Sequence, residues 1–226
     1  LWLRPSRPAI AQPSAAEVKA LVAGSYASDA ALALLGDKKF FMSQDRKSAV
    51  IYSPAGSFWI SMGDPIGKKE GMAELIWDFC EEADRRGANA AFYEAGSEWL
   101  EVYRDAGLNA APIGEDARVD ISTITSSLDG ARWRKIRSIK KHMEGEELTY
   151  SLINGDKRDK MLPKLRGISD EWLRKVHGTE KGFSLGFFDE DYLKNFPIAV
   201  ALKEGEPLAF CSLWLGGGDE FSVDLM

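Results

Sequence analysis

A carboxylate near the end of the chain is the first candidate for chemistry. Asp224 stands among Val223, Leu225 and Met226 in a short apolar run that is typical of a β-strand. Strand alternation places Ser222, Asp224 and Met226 on one face. Burying a carboxylate there costs free energy unless another group pairs with it. We therefore predict that Asp224, if buried, has a partner, which makes it a candidate catalytic residue, and the alternative is that this face meets solvent.

A run of cations is the second candidate. Residues 131–143 contain six arginines and lysines and no acid, although the whole chain has a formal net charge of −6. On a helical wheel Arg134, Arg137 and Lys141 share one arc. The opposite arc, which we expect to be buried, holds Trp133, Ile136, Ile139 and Met143. The cationic arc suits the phosphates of a nucleic acid or of lipid headgroups, and the alternative is a solvated basic face without a partner.

Several other catalytic patterns are missing from the sequence. The chain contains two cysteines and two histidines, with neither Cys-x-x-Cys nor His-x-x-x-His spacing, so no metal site is predicted. Cys80 and Cys211 lie in apolar runs and are predicted to be reduced core thiols. His142 and His177 fall near predicted helix ends, and no Ser-His-Asp or Cys-His arrangement can be assembled from them.

A glycine-bearing connector is a weaker candidate for anion binding. Gly63, Gly67 and Gly71 lie four residues apart between a predicted strand and a predicted helix. Their N–H groups could surround an anion at the helix N-terminus. The spacing matches neither the P-loop nor the Rossmann fingerprint. The alternative is plain turn chemistry, in which Asp64 before Pro65 is also a turn residue.

Two similar strand patterns organise the elements that position these residues. Apolar runs at 39–43, 49–53 and 57–61 predict one three-strand meander, and runs at 197–202, 208–215 and 221–226 predict another. Asp64 follows the earlier third strand about as Asp224 sits in the later one, an offset of roughly 160 residues. This offset indicates a duplicated unit.

The remaining pattern alternates helices with strands. Helices are predicted at 15–23, 72–85, 97–106 and 131–143, in a longer segment whose stripe is Met161, Leu165, Ile168, Trp172 and Val176, and as a turn at 189–194; further strands are predicted at 90–95, 108–113 and 148–153. Pro163 is placed in the first turn of the longer helix. The predicted fold class is α/β (mixed α+β), with a linker and N-terminal helices at 1–36 and two units at 37–120 and 121–226.

The overall composition is that of a globular protein. The hydrophobic share of 45% and the charged share of 28% allow a sizeable core. No run approaches the ~20 apolar residues that a membrane-spanning helix needs. The linker-like start and the strand-like end predict a piece of a longer polypeptide.

Six blocks of sequence together resemble one known family. They are Leu34-Leu-Gly-Asp-Lys-Lys-Phe40, Trp59-Ile-Ser-Met-Gly-Asp-Pro-Ile-Gly67, Ala91-Phe-Tyr-Glu94, Ile168-Ser-Asp-Glu-Trp172, Glu180-Lys-Gly-Phe-Ser-Leu-Gly186 and Ser222-Val-Asp-Leu-Met226. In this order they resemble the soluble catalytic domain of the phosphatidylglycerol lysyltransferases, the multiple peptide resistance factor family. The resemblance implies two tandem acetyltransferase-like (GNAT-like) units, the second one incomplete after its third meander strand.

The resemblance also implies an activity. Such enzymes move an aminoacyl group, usually lysyl, from aminoacyl-tRNA to a glycerol hydroxyl of phosphatidylglycerol, and neither a metal nor CoA is expected as a cofactor. Asp224 lies in the family's final motif. The expected binding residues for tRNA or lipid phosphates are Arg134, Arg137 and Lys141, with Lys181 and Arg118 as weaker candidates. The expected partners are aminoacyl-tRNA, phosphatidylglycerol with its membrane surface, and an N-terminal membrane domain of the same polypeptide, on the cytoplasmic face of the bacterial inner membrane.

Two other functions are compatible with the residues. One is an acyl-CoA-dependent N-acyltransferase of the same fold class, and the other is a non-catalytic module that binds anionic lipid or RNA. Acyl-CoA enzymes usually carry a Gln/Arg-x-x-Gly-x-Gly/Ala loop before a helix, and the connector between Gly63 and Gly71 departs from it. That departure counts against CoA. A non-catalytic module would bind anionic membranes without any transfer.

Overall fold

The computed structural model of the protein describes residues 9–124, 128–217 and 220–226. Helices and two β-sheets form a mixed α+β fold, which confirms that part of the predicted fold class. The chain divides into two units, each assembled from separate stretches. The first comprises the described residues of Leu1–Ala111, Lys181–Phe187 and Trp214–Ser222, and the second those of Pro112–Glu180, Phe188–Leu213 and Val223–Met226.

Two short helical segments open the described part of the first unit. Helix α1 (Ala15–Gly24) is capped by Ser14, whose hydroxyl accepts the N–H of Glu17 at 3.3 Å. The Glu17 carboxylate accepts the Ser14 N–H at 2.8 Å in return. This capping box confirms the predicted helix start. A 3-10 helix follows at Ser28–Leu35, while residues 1–8 of the predicted linker lie outside the described residues.

One sheet belongs to the first unit. Its strands are β1 (Lys39–Met42), β2 (Ser48–Ala55), β3 (Phe58–Met62), β4 (Ile66–Gly67) and β5 (Asn89–Tyr93). The order is β1-β2-β3-β5, and the short β4 pairs with β2. Strands β1, β2 and β3 are antiparallel neighbours, which confirms the earlier predicted meander. Strand β5 lies parallel to β3.

Helix α2 (Met72–Arg85) supplies much of the core of the first unit. Its buried residues are Met72, Leu75, Ile76, Phe79 and Ala83, and the sequence period predicts these five together with Cys80, which is only partly buried. Phe79 is completely buried, and its ring centroid lies 5.3–5.8 Å from those of Phe41, Tyr52, Trp59 and Phe92. Removing so large a buried ring costs about 3–5 kcal/mol, so this cluster anchors α2 to the sheet.

Of the two elements predicted after β5, one is correct and one is wrong. A 3-10 helix at Ser97–Trp99 and helix α3 (Leu100–Asp105) match the predicted helix at 97–106. The strand predicted at 108–113 is wrong, because these residues form neither helix nor strand. Ile113 is 63% exposed, and Pro112 has no N–H to donate to a strand ladder. An apolar run without a neighbouring strand does not make a sheet.

The later elements include a second sheet. They are 3-10 helices at Ile121–Thr123 and Ala131–Trp133, α4 (Arg134–Gly145), β6 (Leu148–Ile153), α5 (Gly155–Lys175), α6 (Glu190–Leu193), β7 (Ile198–Lys203), β8 (Glu206–Leu215) and β9 (Phe221–Val223). The strand order is β6-β7-β8-β9. Strands β6, β7 and β8 are antiparallel neighbours. The three strands of the closing meander are confirmed, although β9 ends before Asp224.

Helix α5 buries a different stripe from the predicted one. The buried positions are Arg158, Leu162, Leu165 and Ser169. Trp172 is 54% exposed and Val176 is 47% exposed, so the predicted stripe is wrong at its C-terminal end. Pro163 lies inside the helix rather than in its first turn. Neither α5 nor any other helix in the described ranges has the length and apolarity needed to cross a membrane.

Candidate functional site

Asp224 lies one residue beyond β9, held by backbone contacts to β8. Its N–H donates to the carbonyl of Ser212 at 3.1 Å, and the N–H of Ser212 donates to the carbonyl of Leu225 at 2.9 Å. The Leu225 N–H donates to the Ser212 hydroxyl at 3.1 Å. Ser212 itself is completely buried. These three bonds fix the peptide that carries the Asp224 side chain.

Tyr192 holds the Asp224 carboxylate from the other side. Its hydroxyl donates to Oδ2 of Asp224 at 3.1 Å. The short helix α6 presents this tyrosine, because Asp189 caps the helix by accepting the Tyr192 N–H at 2.8 Å. The ring is 1% exposed and packs edge-to-face on Phe196, with centroids 4.9 Å apart. A capped turn and a buried ring therefore set the position of the hydroxyl.

The pair combines a partly buried carboxylate with a buried phenol. A carboxylate in this setting can take a proton from an attacking hydroxyl, or it can pair with an ammonium ion. The catalytic role predicted for Asp224 remains a prediction. Sequence reasoning missed Tyr192 and Ser212 because the tyrosine precedes Asp224 by 32 residues. The predicted helical turn at 189–194 was the only local signal for it.

A second carboxylate and tyrosine pair lies in the first unit. The Tyr103 hydroxyl donates to Oδ1 of Asp64 at 2.5 Å, and the Gly96 N–H donates to Oδ2 at 3.0 Å. Burial raises the pKa of Asp64, and the two hydrogen bonds only partly oppose that rise. Burial and the adjacent Asp64 raise the pKa of Tyr103. Asp64 is therefore more than the turn residue of the sequence prediction, since it ties the end of β3 to residues 96–103.

The two pairs differ in chain order. Tyr103 follows Asp64 in the chain, whereas Tyr192 precedes Asp224. Asp64 comes two residues after β3, and Asp224 comes one residue after β9. The two aspartates thus occupy similar places relative to their strands, while their tyrosine partners do not. The tyrosine partner of Asp224 therefore could not be predicted from the Asp64–Tyr103 pair by adding the sequence offset between the two meanders.

Helix α4 carries three of the predicted phosphate-binding residues. Arg134 and Lys141 are exposed. Arg137 is partly buried, and its Nη1 donates to the carbonyl of Gly130 at 2.9 Å and also to that of Leu128. These bonds connect the first turn of α4 to the loop before it. Arg134 and Lys141 thus present their charges to solvent, whereas Arg137 also holds the helix in place.

The prediction that α4 buries its apolar arc is wrong. All α4 residues lie in the described ranges, and none of them is buried. Ile136 is 45% exposed and Ile139 is 47% exposed. Trp133 and Met143 are partly buried. The helical period identified the residues that share a face, but a period does not say whether anything covers that face.

The two weaker phosphate-binding candidates are exposed and belong to different units. Arg118 lies in an irregular segment of the second unit. Lys181 begins a stretch of the first unit in which the Phe183 ring lies 6.0 Å from that of Tyr93. The Nζ of the buried Lys38 also lies 6.0 Å from the Phe183 ring centroid. Aromatic and cation–π contacts therefore hold the stretch that carries Lys181.

The glycine connector uses N–H groups internally. The Gly67 N–H donates to the Ser25 hydroxyl at 2.7 Å, and the Gly63 N–H donates to the carbonyl of Tyr93 at 2.8 Å. These bonds favour plain turn chemistry over an anion cradle.

As for metals, the described part of the chain contains no group of three or more His, Cys, Asp or Glu side chains that could hold an ion.

Comparison with known proteins decides the family. The family model described as Phosphatidylglycerol lysyltransferase, C-terminal, matches residues 20–226. The chain belongs to this family. The matched residues include Asp224, Tyr192 and helix α4, so every part of the candidate site lies within the family's domain. The resemblance stated from the sequence blocks is confirmed.

Two curated relatives of this phosphatidylglycerol lysyltransferase family give the extent of the similarity. The phosphatidylglycerol lysyltransferase of Bacillus subtilis (strain 168) is 38% identical over 197 residues, which cover 86% of this chain and 22% of the relative. The enzyme of the same name from Staphylococcus xylosus is 32% identical over 192 residues, which cover 84% and 22%. The chain therefore spans about a fifth of the length of the curated relatives it matches.

Solved structures share the fold. The structure of L-PGS from Bacillus licheniformis has a TM-score of 0.88 at 33% identity, covering 97% of this chain and 67% of that chain. A C-terminal domain from Agrobacterium fabrum has a TM-score of 0.89 at 32% identity, covering 94% and 67%. A protein from Bacteroides thetaiotaomicron is similar in fold alone, with a TM-score of 0.66 at 14% identity.

Proposed function

We propose that this chain is the catalytic part of an aminoacyltransferase that moves an aminoacyl group, most simply lysyl, from aminoacyl-tRNA to phosphatidylglycerol. The observation that carries the proposal is the family match over residues 20–226, together with relatives named phosphatidylglycerol lysyltransferase. The product would be a lipid with added positive charge, since the lysyl group carries two amines. The reaction would therefore change the charge of the membrane surface.

The proposed reaction is an ester exchange. The lipid hydroxyl attacks the carbonyl carbon of the aminoacyl ester, a new ester bond forms to the glycerol oxygen, and the bond to the tRNA ribose oxygen breaks. The proton of the lipid hydroxyl ends on that ribose oxygen. Asp224 either relays this proton or holds the ammonium of the aminoacyl group, with the Tyr192 hydroxyl positioning it. The exchange balances without any further reactant.

The proposed phosphate-binding residues come from both units. Arg134, Arg137, Lys141 and Arg118 lie in the second unit, and Lys181 lies in the first. Each would bind phosphates of tRNA or of lipid, because guanidinium and ammonium groups form charge-assisted hydrogen bonds with phosphate oxygens. The exposure of Arg134, Lys141, Arg118 and Lys181 supports this part of the proposal.

The fold and location belong to the same proposal. We propose two tandem acetyltransferase-like (GNAT-like) units, at 37–120 and 121–226, after a linker with helices at 1–36. Support comes from the two runs of three consecutive neighbouring strands, β1–β3 and β7–β9, each followed closely by an aspartate. Aminoacyl-tRNA is a cytoplasmic substrate and phosphatidylglycerol is a membrane lipid. The proposed place of action is therefore the cytoplasmic face of the inner membrane, beside a membrane domain of the same polypeptide.

The test is transfer by the complete gene product with lysyl-tRNA and vesicles that contain phosphatidylglycerol. We expect Asp224→Asn to lower the transfer rate by about 100-fold to 10,000-fold, the range that positioned proton-transfer groups contribute. Asp191→Asn is the matched control, because Asp191 is an exposed carboxylate on α6 and should leave the rate unchanged. Lipids extracted from cells that express the protein should contain lysyl-phosphatidylglycerol. No such lipid would refute the function, and a normal rate for Asp224→Asn would refute the role of Asp224.

A further inference from the structure

Helix α4 exposes two isoleucines on one face. Ile136 and Ile139 are three residues apart, so they lie side by side on the helix surface, 45% and 47% exposed. Large apolar side chains in a globular domain usually pack against a core. The helix has 12 residues, which makes it about 18 Å long at ~1.5 Å per residue. It is therefore long enough to present a continuous surface.

Cations border this apolar pair on both sides. At about 100° per residue, Lys135 lies roughly 40° from Ile139 around the helix, and Lys140 lies roughly 40° from Ile136 on the other side. Both lysines are exposed, and neither forms an ion pair within the described part of the chain. Long lysine side chains can lie along an apolar surface while their ammonium groups stay in a polar layer. The pattern is that of a helix that lies at a lipid interface.

The first turn of α4 is held to its own loop. Nη1 of Arg137 donates to the carbonyl oxygens of Leu128 and Gly130, and Nη2 of Arg132 donates to the carbonyl of Thr123 at 3.4 Å. Arg137 lies about 100° around the helix from Ile136, off the isoleucine face, and Arg132 lies in the 3-10 helix that precedes α4. The face with Ile136 and Ile139 is therefore left available to a partner.

We propose that α4 docks on an anionic phospholipid surface, with Ile136 and Ile139 inserted among the headgroups and acyl chains and with Lys135 and Lys140 paired to lipid phosphates. An RNA backbone would use the cations but would leave the isoleucines in contact with water or polar groups. A lipid interface uses both, because insertion removes apolar area from water. The inference rests on the proposed function in one respect, since it names the surface through which the lipid acceptor is reached.

The test is binding of this chain to vesicles of phosphatidylcholine with and without phosphatidylglycerol, measured by co-sedimentation. Binding to the anionic vesicles is expected, and its loss on adding salt should be steep. The double change Ile136→Ser with Ile139→Ser should weaken binding by about tenfold or more. Lys135→Ala with Lys140→Ala should weaken it by about fivefold per lysine at low salt. Val176→Ser, an equally exposed apolar residue on the C-terminal end of α5, is the control and should bind like the unchanged protein.

Three further measurements separate the alternatives. Circular dichroism should show the same helix content for all variants, which excludes unfolding as the cause. If the double isoleucine substitution weakens tRNA binding and leaves vesicle binding unchanged, the surface binds RNA and the inference is wrong. Unchanged binding to both means that another protein segment covers the isoleucines, which also overturns it. With phosphatidylglycerol dispersed in detergent, the isoleucine variant should keep its transfer rate while Asp224→Asn loses it, so failure of docking and failure of the proposed function are distinguishable.

Discussion

The hydroxyl of Tyr192 restricts the orientation of the Asp224 carboxylate. It holds one carboxylate oxygen at 3.1 Å, and the tyrosine ring is held in turn by Phe196 and by the Asp189 cap. A carboxylate positioned in this way has little freedom to rotate toward solvent. The tyrosine is therefore expected to act on the proposed reaction through the direction of Asp224, as a positioning residue.

Replacing Tyr192 by phenylalanine tests this positioning. The ring packing against Phe196 is kept, and only the hydroxyl that contacts Asp224 is lost. We expect a fall in kcat of about tenfold with little change in KM, and a loss of about 1 kcal/mol in the free energy of unfolding. Tyr150→Phe is the control because Tyr150 is 65% exposed. A Tyr192→Phe protein with unchanged kcat would show that Asp224 needs no hydroxyl to position it.

For single residues, the sequence identifies candidate functional side chains but not the groups that hydrogen-bond to them. Asp224 stood out because a carboxylate in an apolar strand needs a compensating group. Apart from the predicted helical turn at 189–194, nothing in the local pattern pointed to Tyr192, since the two residues meet only when α6 and β9 are both in place. Asp64 shows the same limit, because its bonds to Tyr103 and Gly96 arise from residues that are 39 and 32 positions away.

Among the elements, the two glycines that directly follow β8, Gly216 and Gly217, lie in close packing. The Gly217 N–H donates to the carbonyl of Ser25 at 2.8 Å, and a Cβ at Gly217 would lie only 2.3 Å from that oxygen. A Cβ at Gly216 would lie 2.6 Å from the carbonyl of Tyr26. The sequence marks these glycines as turn residues. In the structure, they are required because another backbone segment passes too close for a side chain.

A methyl group at Gly217 tests this close approach. Gly217→Ala should lower the free energy of unfolding by about 1–3 kcal/mol, because backbone atoms must move to relieve the overlap. The denaturant midpoint measures the effect. Gly114→Ala is the matched control, since nothing lies within 4 Å of its added Cβ. Equal midpoints for the two variants would mean that the segments at 25–26 and 216–217 can separate without cost.

Helical period alone predicted α2 correctly and α4 and α5 only in part. The apolar stripe of α2 meets a sheet that covers it, so all five of its buried residues follow the period. The same rule names Ile136 and Ile139 on α4 and Trp172 and Val176 on α5, yet those four are exposed. Which residues share a face is a property of local geometry. Whether a face is covered depends on tertiary packing, which the periodicity of one helix does not reveal.

For the whole molecule, the division into units is not continuous in the chain. Residues 181–187 and 214–222 group with the first unit, although the stretches on either side of them group with the second. Local composition and turn residues can mark a boundary only at one point along the chain. The linear boundary between residues 120 and 121 therefore stays a proposal, whereas the meanders and the fold class were predictable from short-range patterns.

The stability of the whole molecule should depend on pH in part through Asp64. Because burial raises the pKa of Asp64 in the folded protein, the native state binds its proton more tightly than the unfolded chain does. The stabilisation from this shift is fully present below the unfolded pKa of about 3.9, and it is lost as the pH rises through the folded pKa. Carboxylates with lowered pKa values, such as Glu17 at about 2, act in the opposite direction, because their contribution is lost as the pH falls.

Asp64→Asn isolates this contribution from those of the other carboxylates. Urea unfolding at a series of pH values should show the unchanged protein losing stability relative to the variant as the pH rises from about 4 through the folded pKa of Asp64. Asp78→Asn controls for the removal of one negative charge, because Asp78 is exposed on α2. Asparagine can accept from only one of the two donors, Tyr103 or Gly96, so a constant offset in stability is also expected. The opposite result would be a stability advantage of the unchanged protein that grows as the pH rises. It would show that the hydrogen bonds from Tyr103 and Gly96 lower the pKa of Asp64 more than burial raises it.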